Sequence, residues 1–280
     1  MHADLHQHLW PPAFLDALRA RTTPPRLDGW TLELAGESFA VDPAAHDPEG
    51  RLGPDVICIA PSAALGMDRL PEDEVAELAA AWLEGALGLG GPFRVWATGR
   101  DPDALRAALH RGAIGLELAA EALLDLDAIA PLLEALGDHP LLVHPGLADA
   151  TSRPGWWAPV VPYVAQLHAA WWAWADGGRE RFPDLPVCFA ALAGLGPLHG
   201  ERFRVRGGAP APVDPLTFVE TSSYGTNAVD AVIRVLGVDV VCHGSDMPYA
   251  TPASLALDDA ALHAIHSTNP TRLLALEVPA

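Results

Sequence analysis

The runs DVICIA (55–60), EDEVAELAAAWLEGALG (72–88) and FRVWAT (93–98) set the pattern on which the fold is read. Two short apolar, β-branched stretches flank one long Ala/Leu-rich stretch at helical spacing, and Gly, Pro or Asp punctuates each junction. The alternation extends in both directions. Further strand-like runs are ADLHQH (3–8), AIGLEL (113–118), PLLVHP (140–145), PVCFAA (186–191), LTFVET (216–221) and VDVVCHG (238–244), making eight. Helical candidates lie at 102–111, 124–137, 159–177, 226–236, 256–266 and 270–276. Asp101 followed by Pro102 reads as an N-cap with proline at the first helical position. Eight strands alternating with helices in 280 residues predict an α/β fold, a (β/α)8 TIM barrel, with residues 1–280 as one domain. An open doubly wound sheet has a similar local rhythm.

Three segments break the rhythm and are read as loops. They are 20–53, rich in Pro, Asp and Gly; 146–160, which holds Trp156 and Trp157; and 204–215, with Gly207, Gly208, Pro210, Pro212 and Pro215. In a barrel the first two follow strands, on the face where active sites are built.

Composition removes several chemistries. All 17 basic residues are Arg, so Schiff-base catalysis, a Lys-anchored pyridoxal phosphate, a P-loop Lys and a carboxylated-Lys metal bridge are excluded. The net charge of −19 repels nucleic-acid phosphate and anionic membranes. Half the residues are hydrophobic and the mean hydropathy is +0.17, which suits a large core. The apolar runs stop short of the roughly 20 residues a membrane span needs, and the opening MHADLHQHLW has neither a basic nor a long apolar region. A cytoplasmic protein is expected. Cys58, Cys188 and Cys242 lack CxxC spacing and sit in apolar runs, so they read as buried reduced thiols.

The first strand carries the chemistry. Period-two alternation places His2, Asp4, His6 and His8 on one face. Imidazoles at i and i+2 can share one metal ion, and Asp4 could orient a ring. His144 closes the fifth strand-like run and Asp246 follows the eighth, so a closed barrel brings both to the mouth that His6 and His8 face. Three imidazoles and one carboxylate suit a single divalent ion, zinc first, with manganese or iron as alternatives. Asp246 is also the candidate proton acceptor for a metal-activated water. Trp10, Trp30, Trp156 and Trp157 lie in or beside the mouth segments and could wall an apolar substrate pocket. Trp171, Trp172 and Trp174 read as helix-packing residues.

In its motifs the chain resembles amidohydrolase family 2 of the amidohydrolase superfamily, the branch of aminocarboxymuconate semialdehyde decarboxylase and related hydrolases. The likeness runs through Asp4 to His8, the Arg94 to Glu117 stretch, Leu141 to Pro145, Arg181 to Val187, His243 to Pro248 and Asn269 to Leu274. It implies a (β/α)8 barrel with metal ligands at His6, His8, His144 and Asp246. It also implies a His where this chain has Ala191, and in the family's decarboxylases that His is an acid/base. The same match places Arg202 where those enzymes hold a substrate carboxylate, a task suited to a guanidinium fork. His199, His243 and Glu220 are candidates to replace the absent group, with His199 preferred because its loop should face the mouth. Glu117 stands on the strand where other superfamily branches carry a bridging Lys, and it could hold a second ion.

These readings predict a mononuclear metal-dependent hydrolase of a small cyclic or aromatic amide, ester or lactone. The first alternative is a non-oxidative decarboxylase of an aromatic or unsaturated carboxylic acid. The second is a metal-binding barrel without turnover. The expected partner is a small-molecule substrate, with no nucleic acid and no membrane, and a homodimer is allowed.

Overall fold

Eight parallel strands close into a barrel in the computed structural model, which describes residues 1–209 and 213–276. The wall runs in order through β1 (Ala3–His8), β5 (Val56–Ala60), β6 (Phe93–Ala97), β7 (Gly115–Ala119), β8 (Leu141–His144), β9 (Val187–Phe189), β10 (Thr217–Glu220) and β11 (Val241–Cys242). A parallel bridge between Gln7 and Met247 joins the last segment to the first. The N–H groups of Leu5 and His8 donate across this seam to the carbonyls of His243 and Met247, at 3.0 and 2.7 Å. The TIM-barrel expectation therefore holds.

The apolar runs are continuous because each strand is covered on both faces. Inside the barrel, Ala3, Leu5, Cys58, Trp96, Leu142, Cys188, Phe218 and Cys242 form one cluster, large side chains set against small ones. Trp96 donates its indole N–H to Leu5 O at 3.0 Å, so the bulkiest member is also hydrogen-bonded. All three cysteines are buried and free, and burial pushes the Cys58 thiol up. Outside lie α1 (Pro12–Ala20), α2 (Glu72–Leu87), α3 (Pro102–His110), α4 (Leu126–Leu136), α5 (Trp157–Val160), α6 (Pro162–Ala173), α7 (Arg179–Arg181), α8 (Gly200–Val205), α9 (Thr226–Leu236), α10 (Asp259–His263) and α11 (Asn269–Leu273). Asp101 caps α3 by accepting from the Asp103 N–H at 2.9 Å, with Pro102 opening the helix.

Four expectations need correction. Alternation through β1 does not hold, because its register against β5 shifts between Asp4 and Gln7. This bulge resets the side-chain parity: Ala3 and Leu5 face the barrel interior, and His6 and His8 still point inward beyond it. Asp4 therefore lies on the other side, where it accepts from Gln7 Nε2 at 2.8 Å and from the Ser245 N–H at 3.0 Å. Segment 20–53 is not loop throughout. It carries an antiparallel sheet of β2 (Arg26–Asp28), β3 (Thr31–Leu34) and β4 (Glu37–Ala40), and its turn at Gly36 lies so close to Thr151 that a Cβ there would stand 2.7 Å from the hydroxyl. The two insertions on the mouth face thus touch. The 159–177 helix is divided into α5 and α6 and ends in a π-turn at Trp174–Gly178, and residues 238–240 form a 3-10 turn rather than strand. Of the 204–215 loop, Pro210 and Pro212 lie outside the described residues.

Beyond β9 the chain makes a left-handed turn in which Ala191, Leu192, Ala193, Gly194 and Leu195 have φ between 45° and 60°. Four of the five carry a Cβ, and each of those costs about 1–2 kcal/mol. Dense packing holds the turn, since a Cβ on Gly194 would meet Val164 O at 2.3 Å and one on Gly196 would meet the Trp171 side chain at 3.0 Å.

Candidate metal centre

His6, His8, His144 and Asp246 each offer one donor atom, and these four atoms lie within 4.8 Å of one another. Two donors come from β1, one from the end of β8 and one from the segment after β11. His6 Nε2 is 3.0 Å from His8 Nε2, and Asp246 Oδ1 is 3.1 Å from His8 Nε2 and 3.8 Å from His6 Nε2. Donors about 2.0–2.1 Å from a tetrahedral ion stand roughly 3.3 Å apart, so these separations bracket the fit. The three rings meet edge to edge, with centroids 4.8 to 5.1 Å apart and planes at 84° to 89°.

The far side of each ring decides its tautomer. His8 Nδ1 is 3.1 Å from Ala60 O, and His144 Nδ1 is 2.8 Å from Pro145 O. Carbonyl oxygens only accept, so both Nδ1 atoms carry the proton and both Nε2 lone pairs face the cluster. His6 Nδ1 is 3.2 Å from Glu220 Oε1, which fixes its ring in the same sense. The carboxylate that orients a ring is therefore Glu220 and not Asp4. Asp4 secures the backbone instead, by accepting from the N–H groups of His6 and Ser245.

Asp246 sits in the left-handed region at φ 56°. Its N–H donates to His6 O at 2.8 Å, and the Tyr249 N–H donates to its carbonyl at 2.9 Å, so a tight turn aims the carboxylate at His8. Burial alone would raise the Asp246 pKa, but the adjacent His8, and after it the neighbouring His6 and His144 rings, bring it below the usual range. Burial drives His144 well down, and the neighbouring rings add to this. Burial also opposes the charged form of His6, yet the Glu220 hydrogen bond and charge outweigh it and raise this ring to about 9. Protons and a cation thus compete for His6.

The other sequence candidates fall in different places. Trp10 is fully buried; its indole N–H donates to Pro61 O at 2.9 Å and its ring stacks on His46 at 4.4 Å. It supports the mouth from behind and is no open pocket wall. Trp30 lies parallel beyond His46 with Arg19 over its outer face. Trp156 is exposed, and Trp157, 5.8 Å from it, carries Arg153 over its ring. His199 packs edge-on against His168 of α6, and His243 joins His2 and His266 in a second histidine group; neither is among the four converging donors. Arg202 is exposed on α8, and its guanidinium makes no hydrogen bond or ion pair among the described residues. Glu117 is buried, 4.0 Å from His144 Nδ1, and lines a small cavity of about 30 Å³ with Asp68 and Arg100. Burial raises its carboxyl pKa. It too stands outside the four donors.

Three neighbours had no signal in the sequence. The Tyr249 ring lies 5.4 Å from that of His8. Desolvation and the Asp246 charge push its phenol up, and burial with the charges of Glu37 and Asp246 raises Tyr163 to about 12. Both phenols stay protonated beside the carboxylate. Arg51 is buried and donates to Gln7 Oε1 and His8 O, each at 3.1 Å, and so clamps the ligand-bearing end of β1.

No family model and no curated protein sequence matches the chain. Solved structures do match in fold. The 5-carboxyvanillate decarboxylase of Sphingomonas paucimobilis superposes with a TM-score of 0.74 at 18% identity, over 99% of this chain and 99% of that one. The architecture is shared almost end to end. A 5-carboxyvanillate decarboxylase of Novosphingobium aromaticivorans, complexed with manganese and 4-hydroxy-3-methoxy-5-nitrobenzoic acid, matches with a TM-score of 0.70 at 16% identity, over 99% and 96% of the two chains. The 4-oxalomesaconate hydratase of Rhodopseudomonas palustris gives 0.69 at 18% identity, over 98% and 96%. At such identities the likeness speaks for the fold. Among the described residues, no helix is long and apolar enough to cross a membrane.

Proposed function

We propose that the protein is a divalent-metal-dependent carboxy-lyase of amidohydrolase family 2, releasing carbon dioxide from a small aromatic or unsaturated carboxylic acid. The observation that carries the metal reading is the set of three imidazoles whose Nδ1 atoms are all engaged by oxygen acceptors, leaving three Nε2 lone pairs and Asp246 to converge. His6, His8, His144 and Asp246 would hold the ion. A bound divalent ion supplies Lewis acidity to a substrate oxygen and neutralises a carboxylate that the chain's negative field would otherwise repel. Manganese and zinc both suit this donor set.

Decarboxylation is preferred over hydrolysis because the fold neighbours include aromatic-acid decarboxylases that cover nearly the whole chain. Replacing a carboxylate by hydrogen requires a proton delivered to carbon. With Ala191 where the family motif has His, that proton must come from the groups around the mouth. Asp246 can accept and return a proton, and the phenols of Tyr163 and Tyr249 stay protonated beside it. Trp156 and Trp157 are proposed as the apolar side of the substrate site.

The test is to load purified protein with Mn²⁺ or Zn²⁺ and offer 5-carboxyvanillate, hydroxylated benzoic acids and a panel of esters and lactones. Carbon dioxide release that disappears in His144→Ala and Asp246→Ala supports the proposal. Incorporation of labelled water from the ester and lactone panel alone would replace it with the hydrolase reading. Stoichiometric metal with no turnover on any member would leave a metal-binding barrel.

A further inference from the structure

The left-handed turn after β9, the end of β10 and the segment before Asp246 all close on one carboxylate. Glu220 is fully buried. It accepts from the Ala191 N–H at 2.7 Å, from the N–H and the hydroxyl of Ser222 at 2.6 Å each, and from His6 Nδ1 at 3.2 Å. Gly244 abuts it so closely that a Cβ there would stand 2.0 Å from Oε2 and 2.6 Å from Cδ. Three of the four donors lie outside the candidate centre, so the carboxylate is fixed independently of His6. The rings of His8 and His144 rest on neutral backbone carbonyls; His6 alone rests on a carboxylate side chain.

We propose that Glu220 is the positioning residue of the centre: it holds His6 as the Nδ1–H tautomer with Nε2 turned inward, and sets how tightly the site retains its ion. The inference rests on the metal-dependent reading of the four ligands. A carboxylate partner polarises an imidazole more than a carbonyl does, which strengthens the ring as a donor. His6 is then the strongest of the three imidazole ligands. Its strength is set from β10, a strand that contributes no ligand itself, and the strained turn at Ala191 serves to bring an N–H to that carboxylate.

Titration with Co²⁺ alone, read by competition with a chromophoric chelator and by the visible ligand-field bands of the bound ion, tests this. Wild-type protein should bind one Co²⁺. Glu220→Gln, which keeps the shape, should bind it about 10–100-fold more weakly and with shifted bands. The band positions report ligand strength, which a purely structural role for Glu220 would leave unmoved in the folded variant. Ser222→Ala keeps the carboxylate but loosens it by removing one of its donors, and should weaken binding by more than twofold though less than Glu220→Gln does. Should Glu220→Gln fail to fold, Ser222→Ala decides. Affinities within twofold of wild type together with unmoved bands overturn the inference alone. A wild-type protein that takes up no Co²⁺ overturns the metal reading and this inference with it.

Discussion

Gly194→Ala probes the turn that brings Ala191 to Glu220, and its cost can be worked from two separate effects. Gly194 has φ +57°, where a Cβ costs about 1–2 kcal/mol. The added Cβ would also meet Val164 O at 2.3 Å and His168 N at 3.1 Å, both backbone atoms of α6. Such overpacking forces shifts worth about 1–3 kcal/mol. Together they predict a loss of about 2–5 kcal/mol. Unfolding entropy of about 2.1 cal/mol/K per residue amounts to roughly 0.6 kcal/mol/K for a chain of this length, so the melting temperature should fall by about 3–8 °C. Gly91→Ala is the control. Gly91 has φ +59° with nothing within 4 Å of the added atom, so it bears the backbone cost alone and should fall by roughly 2–3 °C. Differential scanning calorimetry of the two variants at pH 7 separates the effects. Equal shifts would refute the argument that α6 clamps the turn, and an unchanged Gly194→Ala would refute the left-handed geometry as well.

Ala191→Gly should move the other way, gaining about 1–2 kcal/mol on the same scale as left-handed strain is relieved, read as a higher melting temperature. Divalent ion at 100 times its dissociation constant should stabilise the protein by about 2.7 kcal/mol in thermal melts, and Asp246→Ala should abolish that gain. Asp4→Ala leaves the N–H groups of Ser245 and His6 and the Gln7 amide without their acceptor. At least about 3 kcal/mol should be lost in urea titrations, given about 1–3 kcal/mol for each buried group left unpaired. His266 is held at about 4 rather than 6.5, first by burial, then by His243 and His2, against the charge of Asp4. The unfolded chain takes up this proton first, so the contribution is complete above about pH 6.5 and is lost as the pH falls towards 4. His266→Phe keeps a ring stacked on His2 and should flatten the stability profile across that interval.

The barrel was legible because its strands are apolar on both faces and its helices are long and Ala/Leu-rich, as in the 72–88 run that folds into α2. The convergence of His6, His8, His144 and Asp246 followed from strand ends alone. Asp4 was misplaced because a bulge is invisible to an alternation rule. The β2–β4 sheet was hidden by its short strands and by the Pro, Gly and Asp residues around them. Trp10 lay too near the mouth in sequence for its burial behind His46 to be evident. Tyr249 and Tyr163 carried no motif; their relevance comes from the turn that aims Asp246 and from α6 reaching the mouth. Nothing in the sequence indicates that Ala191 contributes its backbone rather than a side chain, since a left-handed run of residues bearing Cβ atoms contradicts local preference.

The seam between β1 and the segment after β11 has a consequence for when the centre can exist. His6 and Asp246 come from opposite sides of that seam, and the Gln7–Met247 bridge lies between them. A ribosome must therefore release almost the entire barrel before all four ligands can meet, so ion uptake reports completed closure and not an early collapsed state. Once seated, the ion would act as a clasp across that seam, holding the first strand to the segment that follows the last one.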